Sequence, residues 1–304
     1  MTKPIAIFCG DIHLTNVKPI ARCDEPDWEQ AQFRVLSWLQ KLRIPCVIGG
    51  DLLDKPVLPI GFLNKIPQYM PDECMCTVGN HEQFDKRSNN TLDDSAWTTL
   101  MLMNSFEPYS YPDVTAFYNN LVIGFIPNTN SEEEFLSAVQ VVQSADIVVM
   151  HKYVWCEDSG KYPGALESSR ADNISKLFPN AKWIFCSDNH RAFQWGNVIN
   201  CGMLIRDNAD LVDYKPRVYV LFDDMSILPL YAPIDEDLIT DRHIVKAKEN
   251  KVHEDVFIRT IGESKDISLS FNDNLKNVLS RLDKQECVEY IMGKYTSIMK
   301  GDTI

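Results

Sequence analysis

The chain is organised around the stretch Gly49-Gly50-Asp51-Leu52-Leu53-Asp54, which directly follows the apolar run Cys46-Val47-Ile48. A short apolar run that ends in two glycines and an aspartate is typical of a buried strand that carries a carboxylate at its C-terminal tip. In open α/β sheets, ligands bind beyond those tips. The stretch therefore predicts a functional site at Asp51, on a sheet whose strands are buried.

Four further apolar runs break off at Asp, Asn or His, in the stretches 5–13, 76–82, 147–151 and 183–190. The polar residues at their tips are Asp11, His13, Asn80, His81, His151, Asp188 and His190. A lone loop histidine is usually only hydrogen-bonded, but four of the six histidines of the chain lie at these tips. Imidazole and oxygen ligands together suit borderline divalent ions such as Mn, Fe, Zn or Ni. The pattern predicts a two-metal site with Asp51 at its centre.

The composition is that of an ordinary globular protein, with 304 residues of which 45% are hydrophobic and 24% charged. The formal net charge of −13 argues against a broad nucleic-acid-coating surface, although it leaves room for a local basic groove. Nine cysteines without a Cys-x-x-Cys pair indicate small buried side chains in a reducing compartment. The chain carries neither a signal-peptide pattern nor an apolar run of roughly 20 residues. We therefore expect a cytoplasmic protein with no membrane partner.

Apolar strands alternate with helical patterns, which predicts βαβ units in a covered sheet. The predicted strands cover 4–9, 46–48, 74–78, 146–150 and 183–186, and the predicted helices cover 27–42, 58–70, 95–105, 131–143 and 169–178. A hairpin with a two-residue Asn turn is expected at 117–122. Strands near 194–201, 217–222 and 226–231 indicate a second, antiparallel sheet.

The composition and pattern of the sequence change after Pro233. An acidic, linker-like segment is followed by two predicted strands at about 254–261 and 266–271 and by a predicted helix at about 274–298. We therefore assign 1–233 to a catalytic domain and 234–304 to a small α+β domain.

The tip motifs carry a resemblance to a known family. Asp11-x-His13, Gly50-Asp51-x-x-Asp54, Gly79-Asn80-His81-Glu82, His151 and the final His190 resemble, in order and in spacing, the motifs of the calcineurin-like metallophosphoesterase superfamily. The resemblance covers about residues 5–222. It implies a four-layer α/β/β/α sandwich of two packed mixed sheets with a dimetal centre at the strand tips, and it makes the C-terminal domain a small appendage.

The resemblance also implies a partition of the metal ligands, in which Asp51 bridges two ions. One ion would be held by Asp11, His13 and His190, and the other by Asn80 and His151.

A catalytic pair is implied as well. His81 would contact the substrate phosphate and protonate the leaving oxygen, and Asp54 would orient it. The alternative for Asp54 is a residue that stabilises its own turn. Glu82 is interpreted as a charged loop residue without a role in the site.

One motif departs from the family pattern. Ser187-Asp188-Asn189-His190 stands where the family has Gly-His-x-His, so that Asp188 replaces an imidazole that would bind the second metal. A carboxylate is a harder ligand, which favours Mn or Mg over Zn. We expect Asp188 to be a ligand and Mn to be the metal, with Mg, Fe, Zn and Ni open; the alternative is a weakened second site.

Within the superfamily, the chain resembles the SbcD-type DNA nucleases. The resemblance rests on Asp11-Ile12-His13-Leu14, on the lack of a secretory context and on the C-terminal appendage. It implies a DNA substrate, a role in DNA repair or replication, an SMC-like ATPase partner of the SbcC type and, as a further option, a homodimer.

Basic residues that could contact a DNA backbone or a substrate phosphate are Arg206, Lys152, Lys161, Lys246, Lys248 and Lys251. For Arg206 and for the three lysines beyond Pro233, a solvated surface charge is the alternative.

Two alternative functions stay open. One is a phosphodiesterase or phosphatase for a small substrate such as a cyclic nucleotide, which a deep closed pocket would favour over an open cleft. The other is an inactive interaction scaffold, which poor metal binding would favour.

Overall fold

The computed structural model describes residues 2–84, 92–157 and 161–242, together with positions 244, 279, 285 and 288–290. The chain divides into two compact units, Met1–Ile239 and Thr240–Ile304. No helix within the described part of the chain is long and apolar enough to cross a membrane.

Most of the second unit lies outside the described residues. The strands predicted at 254–261 and 266–271 fall there, and so does most of the helix predicted at 274–298. The domain boundary at Pro233 stays a prediction. The fold that follows is that of the first unit.

Five α-helices and twelve β-strands make up the described part of the first unit. The helices are α1 (Trp28–Leu42), α2 (Ile60–Leu63), α3 (Ala96–Leu102), α4 (Glu132–Val142) and α5 (Ala171–Leu177). The strands are β1 (Pro4–Cys9), β2 (Cys46–Ile48), β3 (Cys74–Thr77), β4 (Glu107–Tyr109), β5 (Asp113–Ala116), β6 (Val122–Ile126), β7 (Ile147–His151), β8 (Trp183–Ser187), β9 (Phe193–Trp195), β10 (Val198–Asn200), β11 (Arg217–Phe222) and β12 (Ile227–Tyr231).

Side-chain caps explain where the two longest helices begin. The Asp27 carboxylate accepts the backbone N–H of Gln30 at 2.9 Å, as expected for the N-cap of α1. At α4 the Ser131 hydroxyl accepts the N–H of Glu134 at 3.1 Å, and three glutamates in the first turn complement the helix dipole. These local signals are why the helix positions could be predicted.

The strands form two mixed sheets of six. The first has the order β12-β11-β1-β2-β3-β4 and the second has the order β5-β6-β7-β8-β10-β9. Strands β1 to β4 run parallel in the first sheet, and β6, β7, β8 and β10 run parallel in the second. The antiparallel pairs lie towards the edges, at β11, β12, β5 and β9.

Two of our expectations for the later strands were wrong. There is no separate antiparallel sheet among the described residues, because β11 and β12 extend the first sheet through β1, and β9 and β10 extend the second through β8. The strand expected at 194–201 is divided by Gly196, whose φ of +56° turns the chain between β9 and β10.

The hairpin prediction was right in kind but not in detail. β5 and β6 pair antiparallel, but the residues between them are 117–121, not a two-residue turn. Asn119 and Asn120 both adopt left-handed φ values, of 51° and 64°, which asparagine tolerates better than most residues.

Side chains that alternate along the strands build a four-layer sandwich. On the first sheet, Ile7 and Ile48 point towards α1, α2 and α3, whereas Phe8 and Val47 point towards the second sheet. Phe8 stacks on Phe185 with ring centroids 3.7 Å apart. The outer face of the second sheet packs on α4 and α5. The expected α/β/β/α arrangement is confirmed.

The register of the parallel strands brings their carboxyl ends to one edge of the sandwich. Cys9 is level with Ile48, and Ile48 is level with Cys76. Gly49 shows how closely the two sheets approach there, since a Cβ on it would lie 2.3 Å from the Ser187 hydroxyl oxygen. The tips of both sheets therefore surround a single site.

Candidate metal centre

Four residues at the strand tips have left-handed backbones, with φ of 46° at Asp11, 53° at His13, 50° at Asp51 and 79° at Asp188. They are four of the nine non-glycine residues with positive φ in the described part of the chain. Such conformations cost on the order of 1–3 kcal/mol each and concentrate at functional sites. The strain aims these side chains at a common point.

The Asp51 carboxylate lies at the centre of the cluster and is buried. Its Oδ2 lies 3.5 Å from Nε2 of His13 and 3.5 Å from Nε2 of His151. Its Oδ1 accepts the backbone N–H of His81 at 2.9 Å. One carboxylate therefore touches two histidines that the resemblance assigns to different metals.

His151 faces a cluster of acceptors. Its Nδ1 lies 3.0 Å from the Gly49 carbonyl oxygen, so Nδ1 carries a proton and donates it there. Its Nε2 then points at Asn80 Oδ1, 2.9 Å away, and at Asp51. Burial lowers the pKa of His151, but the charges of Asp51, Asp188 and Asp11 outweigh it and raise the pKa to about 9. A positive charge is favoured at this point.

Asp11 and His13 follow the end of β1 and lie beside Asp51. Both carboxylate oxygens of Asp11 accept the backbone N–H of Asp188 at 3.0 Å, and burial raises the pKa of Asp11 to about 6. Burial lowers the pKa of His13 to about 3, so its ring is neutral near pH 7. The His190 ring meets it edge-on, with centroids 5.3 Å apart.

The residues present fit divalent cations. Two groups of three bring one potential ligand atom each to within 4.8 Å of one another, namely Asp11, Asp51, His151 and His13, Asp54, His81. The buried Nε2 of His13 has no hydrogen-bond partner among the described residues. Imidazoles beside buried carboxylates form the donor set of a borderline divalent metal. Asp188 and His190 lie outside both groups, and Asn80 Oδ1 lies 2.9 Å from Nε2 of His151. The partition of ligands between two metals stays a prediction.

His81 is held in one orientation by Asp54. Its Nδ1 lies 2.8 Å from the main-chain carbonyl oxygen of Asp54 and 3.5 Å from its carboxylate. Because a carbonyl only accepts, Nδ1 carries a proton, and Nε2 is the ring nitrogen that can exchange one with a substrate. The hydrogen bond with His81, more than any other contact, lowers the pKa of Asp54.

Glu82 is a site residue that the sequence reasoning set aside. It is fully buried, and its carboxylate accepts three backbone N–H groups, from Gly79 at 2.7 Å, Leu53 at 2.9 Å and Asp51 at 3.2 Å. It therefore ties the loop that carries Asp51 to the loop that carries Asn80. The only signal in the sequence was an acidic residue next to His81, which does not reveal burial.

The described basic residues that were candidates for phosphate contacts form ion pairs with acidic side chains. Arg206 is buried and pairs with Asp237 at 3.2 Å, so it is neither a solvated surface charge nor directed at the site. Lys152 pairs with Glu132 at 3.1 Å, and Lys161 with Glu167 at 3.3 Å. The three lysines beyond Pro233 lie outside the described residues.

Comparison with known proteins identifies a family for this chain. Residues 6–221, more than half of the chain, match the family model described as calcineurin-like phosphoesterase. No curated protein matches the chain. A solved metallophosphoesterase from Sphaerobacter thermophilus is similar at 11% identity over 77% of this chain and 91% of that chain, with a TM-score of 0.36, which is too low to carry an argument. The family match alone is sufficient: this chain belongs to the calcineurin-like phosphoesterase family.

Proposed function

We propose that the protein is a dimetal-dependent phosphodiesterase that acts on DNA, a nuclease of the SbcD type in DNA repair or replication. Membership of the family implies metal-dependent hydrolysis of a phosphoester. The diester bond, the DNA substrate and the identity of the metal are the parts that we propose.

The observation that carries the proposal is the position of Asp51, 3.5 Å from a histidine on either side and hydrogen-bonded to the backbone of His81. We assign Asp11, His13 and His190 to one metal and Asn80, His151 and Asp188 to the other, with Asp51 bridging. Two divalent ions, when bound, would withdraw charge from the phosphoryl group and supply an activated water for in-line attack. Their charge would also offset the buried carboxylates.

His81 supplies the proton for the leaving oxygen. Its Nδ1–H donates to the Asp54 carbonyl, which orients the ring, and the proton given to the leaving oxygen is the one that Nε2 carries in the imidazolium form. An imidazole suits this task because it gains and loses a proton near neutral pH.

The charge of the site favours a diester over a monoester. A phosphomonoester carries up to two negative charges at neutral pH and a diester carries one. A cavity lies next to His151 and Asp188, and Lys152 is the one lysine or arginine among the described residues that line it. Lys152 is already paired with Glu132. A diester, which carries one negative charge, therefore needs less positive charge from the side chains of the protein than a dianionic monoester does.

The DNA substrate is supported by sequence features of the SbcD type, the Asp11-Ile12-His13-Leu14 motif and the C-terminal appendage. We propose an SMC-like ATPase of the SbcC type as partner, with a homodimer as a second form of assembly. Mn is the proposed metal, since the hard Asp188 carboxylate replaces an imidazole.

The test is hydrolysis by the purified full chain. Single-stranded and double-stranded DNA, a small chromogenic phosphodiester and cyclic nucleotides are each incubated with Mn or Mg and with EDTA, and metal content is measured in parallel. We expect DNA cleavage that requires metal and disappears in His81→Ala.

Two other outcomes would reject the DNA nuclease. Cleavage of small diesters alone would identify the small-substrate phosphodiesterase. No turnover of any substrate, with fewer than two metals per chain, would identify an inactive scaffold and make Asp188 the mark of a lost ligand.

A further inference from the structure

A cavity of about 270 Å³ opens directly beside the metal centre. His151 and Asp188, at the tips of β7 and β8, form one side of it. Tyr153, Tyr162 and Leu166, which belong to the segment after β7, also line the cavity. A group attached to a phosphate at the metal centre can therefore reach this cavity without leaving the protein surface.

Two tyrosines give the cavity an aromatic wall. The rings of Tyr153 and Tyr162 meet edge to face, with centroids 6.0 Å apart. Tyr162 is 66% exposed, so most of its surface is open to a ligand. An exposed aromatic ring beside an active centre can stack on another flat group, and such stacking is favourable.

Hydrogen bonds within the protein hold the backbone around Tyr162 in place. Tyr162 begins a β-turn in which its carbonyl accepts the N–H of Ala165 at 2.9 Å, with Pro163 and Gly164 at the centre. The φ of +92° at Gly164 is that of a type II turn. The Tyr153 hydroxyl accepts the backbone N–H of Tyr162 at 3.1 Å.

A second anchor holds the end of the same segment. The indole N–H of Trp155 donates to the Leu166 carbonyl at 3.0 Å, and Trp155 itself is buried. The turn is thus held on both sides by residues from the beginning of the same segment, and a ligand need not pay the entropy of ordering it.

The size and polarity of the cavity define its ligand. Sites for drug-sized molecules measure about 300–1,000 Å³, so this cavity accepts one ring system of modest size. Asn128, Thr129 and Ser169 offer amide and hydroxyl groups at its margin. Lys152, the one lysine or arginine among the described residues of its lining, is paired with Glu132, which makes a phosphate an unsuitable occupant.

We propose that this cavity binds one unpaired nucleobase of the substrate, stacked on Tyr162, while the phosphodiester of the same nucleotide lies at the metal centre. The inference rests on the proposed phosphodiesterase function and narrows its substrate to nucleotides. A base inside a duplex is stacked on both faces, so only an unpaired or extruded base can use the tyrosine. Single strands, frayed ends and free nucleotides meet this requirement, and intact duplex DNA does not.

The test compares two chromogenic diesters with the same leaving group. The p-nitrophenyl ester of thymidine 5′-phosphate carries a base, and p-nitrophenyl methyl phosphate does not. The quantity measured is the ratio of their kcat/KM values with Mn. Stacking of one base on an aromatic side chain corresponds to roughly a tenfold change in this ratio. We expect Tyr162→Ala to lower the ratio about tenfold and Tyr162→Phe, which keeps the ring, to preserve it.

Tyr111→Ala is the matched control, because Tyr111 is 65% exposed and does not line the cavity. It should leave the ratio unchanged. A ratio that is equally unchanged in Tyr162→Ala, while both diesters are hydrolysed, would overturn the base site and leave the phosphodiesterase function standing.

A binding measurement separates the two proposals if nothing is hydrolysed. Saturation-transfer NMR with thymidine, which carries a base and no phosphate, reports on the cavity without turnover. Transfer that is lost in Tyr162→Ala and retained in Tyr162→Phe would support the base site, and transfer that is absent from the wild-type protein would overturn it.

The source of the base is distinguished with an oligonucleotide and its duplex. Faster cleavage of the single strand, with a Tyr162→Ala defect, would identify strand ends as the source. A defect seen only with thymidine 5′-phosphate esters would identify free nucleotides. Equal cleavage of intact duplex and single strand by the wild-type protein would overturn the requirement for an unpaired base.

Discussion

The Glu82 carboxylate accepts the backbone N–H of Asp51 at 3.2 Å and fixes the loop that carries this central residue. It also accepts the N–H of Leu53 and of Gly79. Burial raises the pKa of Glu82 to about 7, so its charge is held at a cost. A buried acid that serves only the backbone is a positioning residue for the metal centre.

Replacing Glu82 should weaken metal binding without removing a ligand. Glu82→Ala leaves three buried N–H groups unpaired, at about 1–3 kcal/mol each, and frees the Asp51 loop. We expect Mn affinity to fall about 10–100-fold, as for other residues that support metal ligands. Competition with a chelating dye measures it. Glu133→Ala, which removes an exposed acid at the start of α4, should change nothing, and a wild-type affinity in Glu82→Ala would contradict the role.

The close approach of Gly79 to Asp51 leads to a second prediction. A Cβ on Gly79 would lie 2.1 Å from Oδ1 of Asp51 and 2.4 Å from its backbone nitrogen, so one loop must move. We expect Gly79→Ala to lose metal and to melt at a lower temperature, measured by metal analysis and circular dichroism. Gly61→Ala meets no atom within 4 Å and is the matched control. Equal metal content in the two variants would show that the loops adjust freely.

His81→Ala should abolish turnover while the metals stay bound. The contact of His81 with Asp51 is made by the backbone N–H, which alanine retains, so only the imidazole is lost. Loss of a general acid costs about 10²–10⁴-fold in rate. Turnover and metal content are measured on the same sample, and a fully active variant would eliminate the acid role.

Asp54→Asn should be a much milder change than His81→Ala. The nearest acceptor for His81 Nδ1 is the main-chain carbonyl of residue 54, at 2.8 Å, and it survives the substitution. We expect a loss of activity of less than about tenfold. A loss as large as that of His81→Ala would show that the carboxylate is essential.

The strand-tip residues could be recognised in the sequence because a strand tip is a local signal, whereas their roles as ligands and catalytic residues stay a prediction. Apolar runs that end in Asp, Asn or His can be recognised one at a time, and the parallel register brings them together, with Cys9 level with Ile48 and Ile48 level with Cys76. The fold class followed from the same motifs through the family resemblance. The N-caps Asp27 and Ser131 were visible for the same reason.

Features that depend on distant pairing could not be predicted. The pairing of β11 with β1 joins residues more than 200 positions apart, and nothing in either strand specifies its neighbour. Nothing in the sequence around Arg206 indicates that Asp237 is its ion-pair partner in the first unit. The role of Glu82 could not be predicted for a related reason. An acid in a polar loop is expected to face solvent, and the sequence does not show the three N–H groups that donate to it.

Asp207 provides a test of pH dependence in the metal-free protein. Burial raises its pKa to about 6, and its buried Oδ1 has no hydrogen-bond partner among the described residues. Because the folded pKa lies above the ordinary value of 3.8, the stability linked to Asp207 is present at low pH and is lost as the pH rises through about 6. The variant Asp207→Asn cannot ionise and escapes this loss. Its free energy of unfolding, relative to wild type, should therefore increase by about 2 kcal/mol between pH 4 and pH 7.

Urea unfolding in EDTA at several pH values measures this difference. Asp210→Asn, a nearby exposed acid, is the control and should follow the wild-type curve. A constant offset between Asp207→Asn and wild type at all pH values would mean that Asp207 ionises in the folded protein as it does in water. A growing offset would locate an unpaired buried carboxylate next to the metal centre, because the charges of His190 and Asp54 are among those that act on it.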